Sequence, residues 1–199
     1  MVSNSNVFGN KGVLEIKFIG RGGLGAKSAG EILATVAFKS GFYIQAFPEY
    51  GAERTGAPVK SFVRISNREI RTHTSITNPD VVVVLDQTLT ESINVTEGLS
   101  NEGIMILNAK DENFKEKIGN FKGRIFFVDA SGIALKTIGK NIPNTPVLGA
   151  IARVFPIFKL DVIKDAMEEE FKMKLSKDLI EKNKEAVEIA YNETREVIN

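Results

Sequence analysis

Val13-Leu-Glu-Ile-Lys-Phe-Ile-Gly-Arg-Gly-Gly-Leu-Gly25 is an apolar, β-type run that opens directly into a glycine-rich loop, and Ala26 onward carries helical periodicity. Strand, glycine loop, helix is the layout of a phosphate cradle. Gly20, Gly22 and Gly25 satisfy G-x-G-x-x-G, whose glycines permit a tight turn and close backbone approach. The helix that follows offers N–H groups and the positive end of its dipole. Arg21, inside the loop, adds a planar fork of donors suited to phosphate or carboxylate, and Glu49 or Glu53 could equally pair with it. Read on its own, the loop is also consistent with a turn whose glycines serve only packing.

Working outward, the helix over Ala26 to Phe38 places Ile32, Leu33, Val36 and Ala37 on one stripe and closes at Gly41. Tyr43 to Phe47 reads as a strand. Gln45-Ala-Phe-Pro-Glu-Tyr-Gly-Ala-Glu-Arg-Thr-Gly-Ala-Pro58 is too rich in turn formers and charge to continue as strand or helix. Its Glu49, Tyr50, Glu53, Arg54 and Thr55 make it a candidate ligand-facing or interface loop. Lys60 to Ile65 and Glu69 to Arg71 are β-like, with Ser66-Asn-Arg68 as a hairpin turn. Val81-Val-Val-Val-Leu85 has the continuous β-branched character of a central strand buried on both faces, and Ile104-Met-Ile-Leu107 and Ile125-Phe-Phe-Val128 repeat that pattern. Helices are expected from Ala130 to about Ile138, over Val147 to Phe155, from Asp161 as cap to Phe171, and from Ser176 as cap to about Val197. The alternation predicts an α/β fold: a doubly wound, mostly parallel but mixed sheet with helices on both faces and a helical C-terminal region. Residues 1–10 read as a loose polar tail, 11–199 as one domain, and 171–199 as its C-terminal helical extension.

With 26 Lys and Arg against 25 Asp and Glu and no long run of like charge, the chain has no nucleic-acid footprint. No apolar stretch approaches the roughly 20 residues that span a bilayer, and the Ser/Asn-rich start does not resemble a signal peptide, so the expected location is cytoplasmic. The cysteine count is zero, which removes thiolate catalysis, disulfides and cysteine-ligated zinc or iron–sulfur centres from this chain. His73 is the only histidine and no G-x-S-x-G elbow is present, which argues against a serine hydrolase and leaves His73 as a surface residue at a strand end. A nicotinamide dehydrogenase needs an acid at the end of the second strand. Ala46, Phe47 and Pro48 stand there, and Glu49 follows only in the loop. Asp86 and Asp129 end strands, where each is placed either to face a crevice or to cap the next helix.

Four ordered motifs, Gly20-Arg-Gly-Gly-Leu-Gly25, Gln45 to Pro58, Asn78-Pro-Asp-Val-Val-Val-Val-Leu-Asp86 and Asn144-Thr-Pro-Val-Leu-Gly-Ala150, resemble gamma subunits of pyruvate:ferredoxin oxidoreductase (pyruvate synthase) over nearly the whole chain. Related gamma subunits serve enzymes for 2-oxoglutarate, branched-chain 2-oxoacids and indolepyruvate. The resemblance implies a multi-subunit enzyme that decarboxylates a 2-oxoacid on thiamine diphosphate, sends electrons through iron–sulfur clusters to ferredoxin and forms an acyl-coenzyme A. The chain lacks cysteine and an evident G-D-G…N signature, so the thiamine diphosphate and clusters are expected on alpha, beta and delta partners. The candidate binding residues are Gly20, Arg21, Gly22, Gly23, Leu24, Gly25, Glu49, Tyr50, Arg54 and Thr55, with coenzyme A as possible ligand and no tightly held cofactor or metal. Two other readings stand beside this one: an architectural subunit whose two loops dock partners, and a stand-alone nucleotide-binding protein.

Overall fold

The four-valine run Val81–Val84 forms the fourth strand and lies in the middle of a seven-stranded sheet. The structure is a computed structural model and describes residues 7–9, 11–49 and 57–197. Its strands are β1 (Val13–Arg21), β2 (Tyr43–Pro48), β3 (Pro58–Ser66), β4 (Val81–Val84), β5 (Ile104–Asn108), β6 (Arg124–Val128) and β7 (Arg195–Glu196), in the spatial order β2-β3-β1-β4-β5-β6-β7. β1, β4, β5 and β6 are parallel neighbours. β3 runs antiparallel to both β1 and β2, and β7 antiparallel to β6. The expected α/β class and mixed sheet are therefore present.

The helices are α1 (Ala26–Lys39), α2 (Ala130–Thr137), α3 (Pro146–Val154), α4 (Leu160–Phe171) and α5 (Lys177–Glu193). Strand alternation sends Ile16, Phe18, Val63, Val83 and Ile106 to one face, where they share a core with all five α-helices. Val82, Val84, Met105, Leu107 and Phe127 point the other way and are covered by Leu89 and Phe114 of two short 3-10 helices, Gln87–Glu91 and Glu112–Lys117. Helical segments thus lie on both faces, with the regular helices on one. α1 ends as its sequence suggests. Gly41 takes φ 86°, its N–H donates to the Phe38 carbonyl, and the Phe42 N–H donates to the Ala37 carbonyl, a Schellman closure.

Four local expectations need correction. Residues 69–71 form no strand, so there is no hairpin at 66–68; the antiparallel character comes from β3 inserting between β1 and β2. The irregular segment is held by Arg64, which is buried and donates to Glu15 (2.8 Å), Gln45 (2.8 Å) and the carbonyls of Thr72 (3.4 Å) and Thr74 (3.1 Å). His73 is exposed within that segment and ends no strand. Asp161 sits in the first turn of α4 while Lys159 is its N-cap. The last helix stops at Glu193 and the chain rejoins the sheet as β7, held by Arg124 donating to both carboxylate oxygens of Glu196 (2.7 and 3.1 Å). Among the described residues no helix is long and apolar enough to cross a membrane.

Lys17 is a buried cation on the second face, 5% exposed, whose ammonium donates to the Glu97 carbonyl at 2.8 Å. Burial first, then the charge of neighbouring Lys60, pushes its pKa below the ordinary lysine value, partly opposed by Glu97 and Glu49. The unfolded chain then binds more protons than the folded one between the lowered value and about 10.4, so the cost of burying the charge is relieved as pH rises through that window. The stability of the parent relative to Lys17→Met therefore rises with pH in denaturant titrations run from neutral pH to about 10.4; a pH-independent difference between the two would contradict this.

Candidate functional site

Parallel strands release their chain at one edge, so the residues just beyond β1, β4, β5 and β6 meet there. They are Gly22, Leu85 and Asp86, Ala109, and Asp129, which with Arg21, Leu24, Thr88, Asn108, Lys110, Ser131 and Asn141 line a crevice of about 400 Å3. The chain turns away from β1 in opposite senses at this point. α1 carries it toward β2 over one face, whereas the β4 to β5 connection crosses the other. The glycine loop therefore sits at the switch point of the sheet, where α/β folds place ligands.

The glycines of the loop do different things. Gly20 lies within β1, paired with Val59, and a Cβ there would come within 3.3 Å of Leu85 and 3.4 Å of Ala26; it lets α1 approach the sheet. The left-handed residues of the loop are Gly23 (φ 95°) and Gly25 (φ 81°), and Gly22 is not among them. Gly25 is also the N-cap of α1, with no side-chain cap and no acidic residue in the first turn. The Gly22 amide donates to the Ala57 carbonyl (3.0 Å) and the Leu24 amide to the Arg21 carbonyl (3.1 Å), so both of these backbone donors are turned inward. The Gly23 and Gly25 amides have no acceptor among the described residues.

Arg21 pairs with Asp86 and not with Glu49. Its Nε donates to Asp86 Oδ2 at 2.8 Å and its Nη2 to Thr88 Oγ1 at 3.1 Å. Glu49 instead lies 3.5 Å from the Lys60 ammonium, while its N–H donates to the Lys60 carbonyl at 3.0 Å. Asp86 and Asp129 do both things open to them: each lines the crevice and each caps a helix, Asp86 accepting from the Thr88 N–H (2.9 Å) and Asp129 from the Gly132 N–H (2.8 Å). Through the Gly22–Ala57 bond and the Arg21↔Pro58 pairing, the end of the Glu49–Pro58 loop is tied to the glycine loop. Tyr50, Arg54 and Thr55, with Glu53, lie outside the described residues.

Sequence reading missed Asn108 and Thr88. Asn108 is buried at the end of β5, donates to the Leu85 carbonyl (2.7 Å) and Ser131 Oγ (2.9 Å), and accepts from the Ser131 N–H (3.0 Å), stitching β4, β5 and α2 behind the crevice. One polar residue closing the apolar run Ile104 to Leu107 was the available signal. Asn144, the first residue of a singled-out motif, packs against the glycine loop: a Cβ on Gly25 would fall 2.7 Å from its Cβ. Gly149 of the same motif is the close contact of α3 with α5, where a Cβ would stand 2.0 Å from the Val187 carbonyl oxygen. Gly23→Ala therefore meets only left-handed strain, about 1–2 kcal/mol, whereas Gly25→Ala adds a collision. Thermal unfolding should show the larger loss for Gly25→Ala, with partial recovery in Gly25→Ala/Asn144→Gly, which removes the colliding Cβ; equal losses at positions 23 and 25 would remove Asn144 from the explanation.

Residues 15–193 match the family model described as pyruvate ferredoxin/flavodoxin oxidoreductase. The chain is 48% identical over 186 residues to pyruvate synthase subunit PorC of Thermotoga maritima, covering 93% of this chain and 96% of that one. It is 47% identical over 184 residues to the pyruvate/ketoisovalerate oxidoreductases common subunit gamma of Thermococcus kodakarensis, covering 92% and 97%. Among solved structures, the pyruvate oxidoreductase subunit PORC from Thermotoga maritima superposes with a TM-score of 0.81 at 44% identity, over 94% of this chain and 99% of that one. By the family model over residues 15–193 and by these relatives, the chain belongs to the pyruvate ferredoxin/flavodoxin oxidoreductase family.

Proposed function

We propose that this chain is the gamma subunit of a cytoplasmic, multi-subunit pyruvate:ferredoxin oxidoreductase, and that its switch-point crevice takes part of coenzyme A. The complex converts pyruvate and coenzyme A to acetyl-coenzyme A and CO2 while reducing ferredoxin. Thiamine diphosphate, which supplies the carbanion chemistry, and the iron–sulfur clusters belong on alpha, beta and delta partners, in keeping with a chain that has no cysteine to ligate a cluster. Residues 11–199 act as one gamma-type domain in that assembly.

The observation that carries the ligand assignment is the contrast between two helix ends at one crevice. α2 is already capped by the Asp129 carboxylate, whereas α1 begins at Gly25 with no side-chain cap and Arg21 beside it. A phosphate is favoured at the α1 end by backbone donors and the helix dipole and disfavoured beside Asp129. The hydroxyl and amide groups of coenzyme A suit the other end, where Asp129, Asn108 and Ser131 offer polar partners. Glu49, Tyr50, Arg54 and Thr55, in the sequence that leads to Ala57 and Pro58, are assigned to the same ligand or to a partner surface beside it. The test is Arg21→Ala in the anaerobically assembled enzyme: KM for coenzyme A should rise about tenfold or more, the loss of one charge-assisted contact, and an unchanged KM would rule out contact between that side chain and a phosphate.

A second reading concerns the 2-oxoacid. The Thermococcus relative is named as a subunit common to pyruvate and ketoisovalerate oxidoreductases, which favours substrate selection by partner subunits and leaves room for this chain to serve a second, branched-chain enzyme.

A further inference from the structure

Three side chains from the ends of β1 and β4 lock together across the switch point. Asp86 divides its two oxygens: Oδ2 accepts from Arg21 Nε at 2.8 Å, and Oδ1 accepts from both the N–H (2.9 Å) and the hydroxyl (2.8 Å) of Thr88. The Thr88 hydroxyl, having donated its proton to Asp86, accepts from Arg21 Nη2 at 3.1 Å. The result is a closed ring of directional contacts that fixes both the rotamer and the plane of the guanidinium. The ring is partly sheltered, with side-chain exposures of 35% for Arg21 and 18% for Asp86, so solvent weakens it less than a surface pair.

From this we infer that Asp86 and Thr88 are positioning residues for coenzyme A: they hold Arg21 in the orientation that meets the phosphate, and the Asp86–Arg21 bridge is more than a tie between two strands. The inference rests on the coenzyme A reading above. A free arginine side chain loses rotamer freedom when a ligand fixes it, and a guanidinium immobilised before the ligand arrives does not lose it on binding. Simple electrostatics argues the other way, because the Asp86 carboxylate offsets the charge of Arg21 and its removal should strengthen attraction for an anion. The two accounts predict opposite signs.

The experiment compares Asp86→Asn, Thr88→Val, Arg21→Ala and Arg21→Ala/Asp86→Asn in the assembled oxidoreductase, reading KM for coenzyme A against KM for the 2-oxoacid. Asp86→Asn should raise the ratio of the first to the second about tenfold, and the double variant should be no worse than Arg21→Ala alone, since the two residues act as a unit. Thr88→Val, which keeps the shape and removes the hydroxyl, should shift the ratio in the same direction and carries the comparison if Asp86→Asn fails to assemble. A lowered or unchanged ratio in both Asp86→Asn and Thr88→Val, or additive losses in the double variant, would overturn the positioning role. If Arg21→Ala itself leaves the ratio unchanged, it is the phosphate contact of Arg21 that falls, and the positioning inference falls with it; a shift in Arg21→Ala without one in either Asp86→Asn or Thr88→Val overturns the positioning inference alone.

Discussion

β3 runs against its neighbours, and the site depends on that reversal. In a dinucleotide-binding unit the second strand lies parallel and adjacent to the first. Here β3 enters between β1 and β2, antiparallel to both. β2 therefore ends, and β3 begins, at the same edge at which β1 releases the glycine loop. That geometry accounts for the Gly22–Ala57 hydrogen bond and for the pairing of Arg21 with Pro58. It also puts β2 at the edge of the sheet, with both β3 and β1 between it and β4. The place where a nicotinamide enzyme would hold an acid for a ribose is thus not available in its usual form, a physical reason beyond the missing acid to set that reading aside.

The same insertion divides the second face of the sheet. Over β4, β5 and β6 it is apolar and covered by Leu89, Phe114 and Ile118. Over β1 and β3 it carries Glu15, Lys17, Lys60 and Arg64, and the covering chain contributes carbonyl oxygens: Glu97 to Lys17, and Thr72 and Thr74 to Arg64. Buried charges are tolerated when their donors are taken up, and Arg64 meets that condition with two side chains and two carbonyls. One half of the face is closed by the hydrophobic effect and the other by directed polar contacts.

How much of this was legible in the residues follows the range of the forces involved. Val81–Val84, Ile104 to Leu107 and Ile125 to Val128 could be read as strands because burial on both faces demands unbroken apolar runs. The α1 boundaries could be read because Gly25 and Gly41 mark its two ends locally. The 69–71 segment was misread because Glu69-Ile-Arg71 alternates like a strand, while what fixes its neighbours is Arg64. The end of α5 was misread because its periodicity runs on toward Val197, whereas the Arg124–Glu196 pair, 72 residues apart in sequence, returns the chain to the sheet. At the site, the glycine loop and its dipole were evident from a dozen residues, but Asp86, to which Arg21 donates, lies 65 residues away and no local pattern could name it.

The crevice that results is of mixed sign: a helix end without a side-chain cap and a strapped guanidinium on one side, the Asp129 carboxylate on the other. Such an arrangement fits a ligand with anionic and hydroxyl-bearing parts better than a free anion. The most direct measurement is a structure of the assembled oxidoreductase with coenzyme A bound. A coenzyme A phosphate is expected within hydrogen-bonding distance of the Gly23 and Gly25 amides and of Arg21; coenzyme A held wholly on the partner subunits, with a partner side chain filling the crevice, would contradict the assignment.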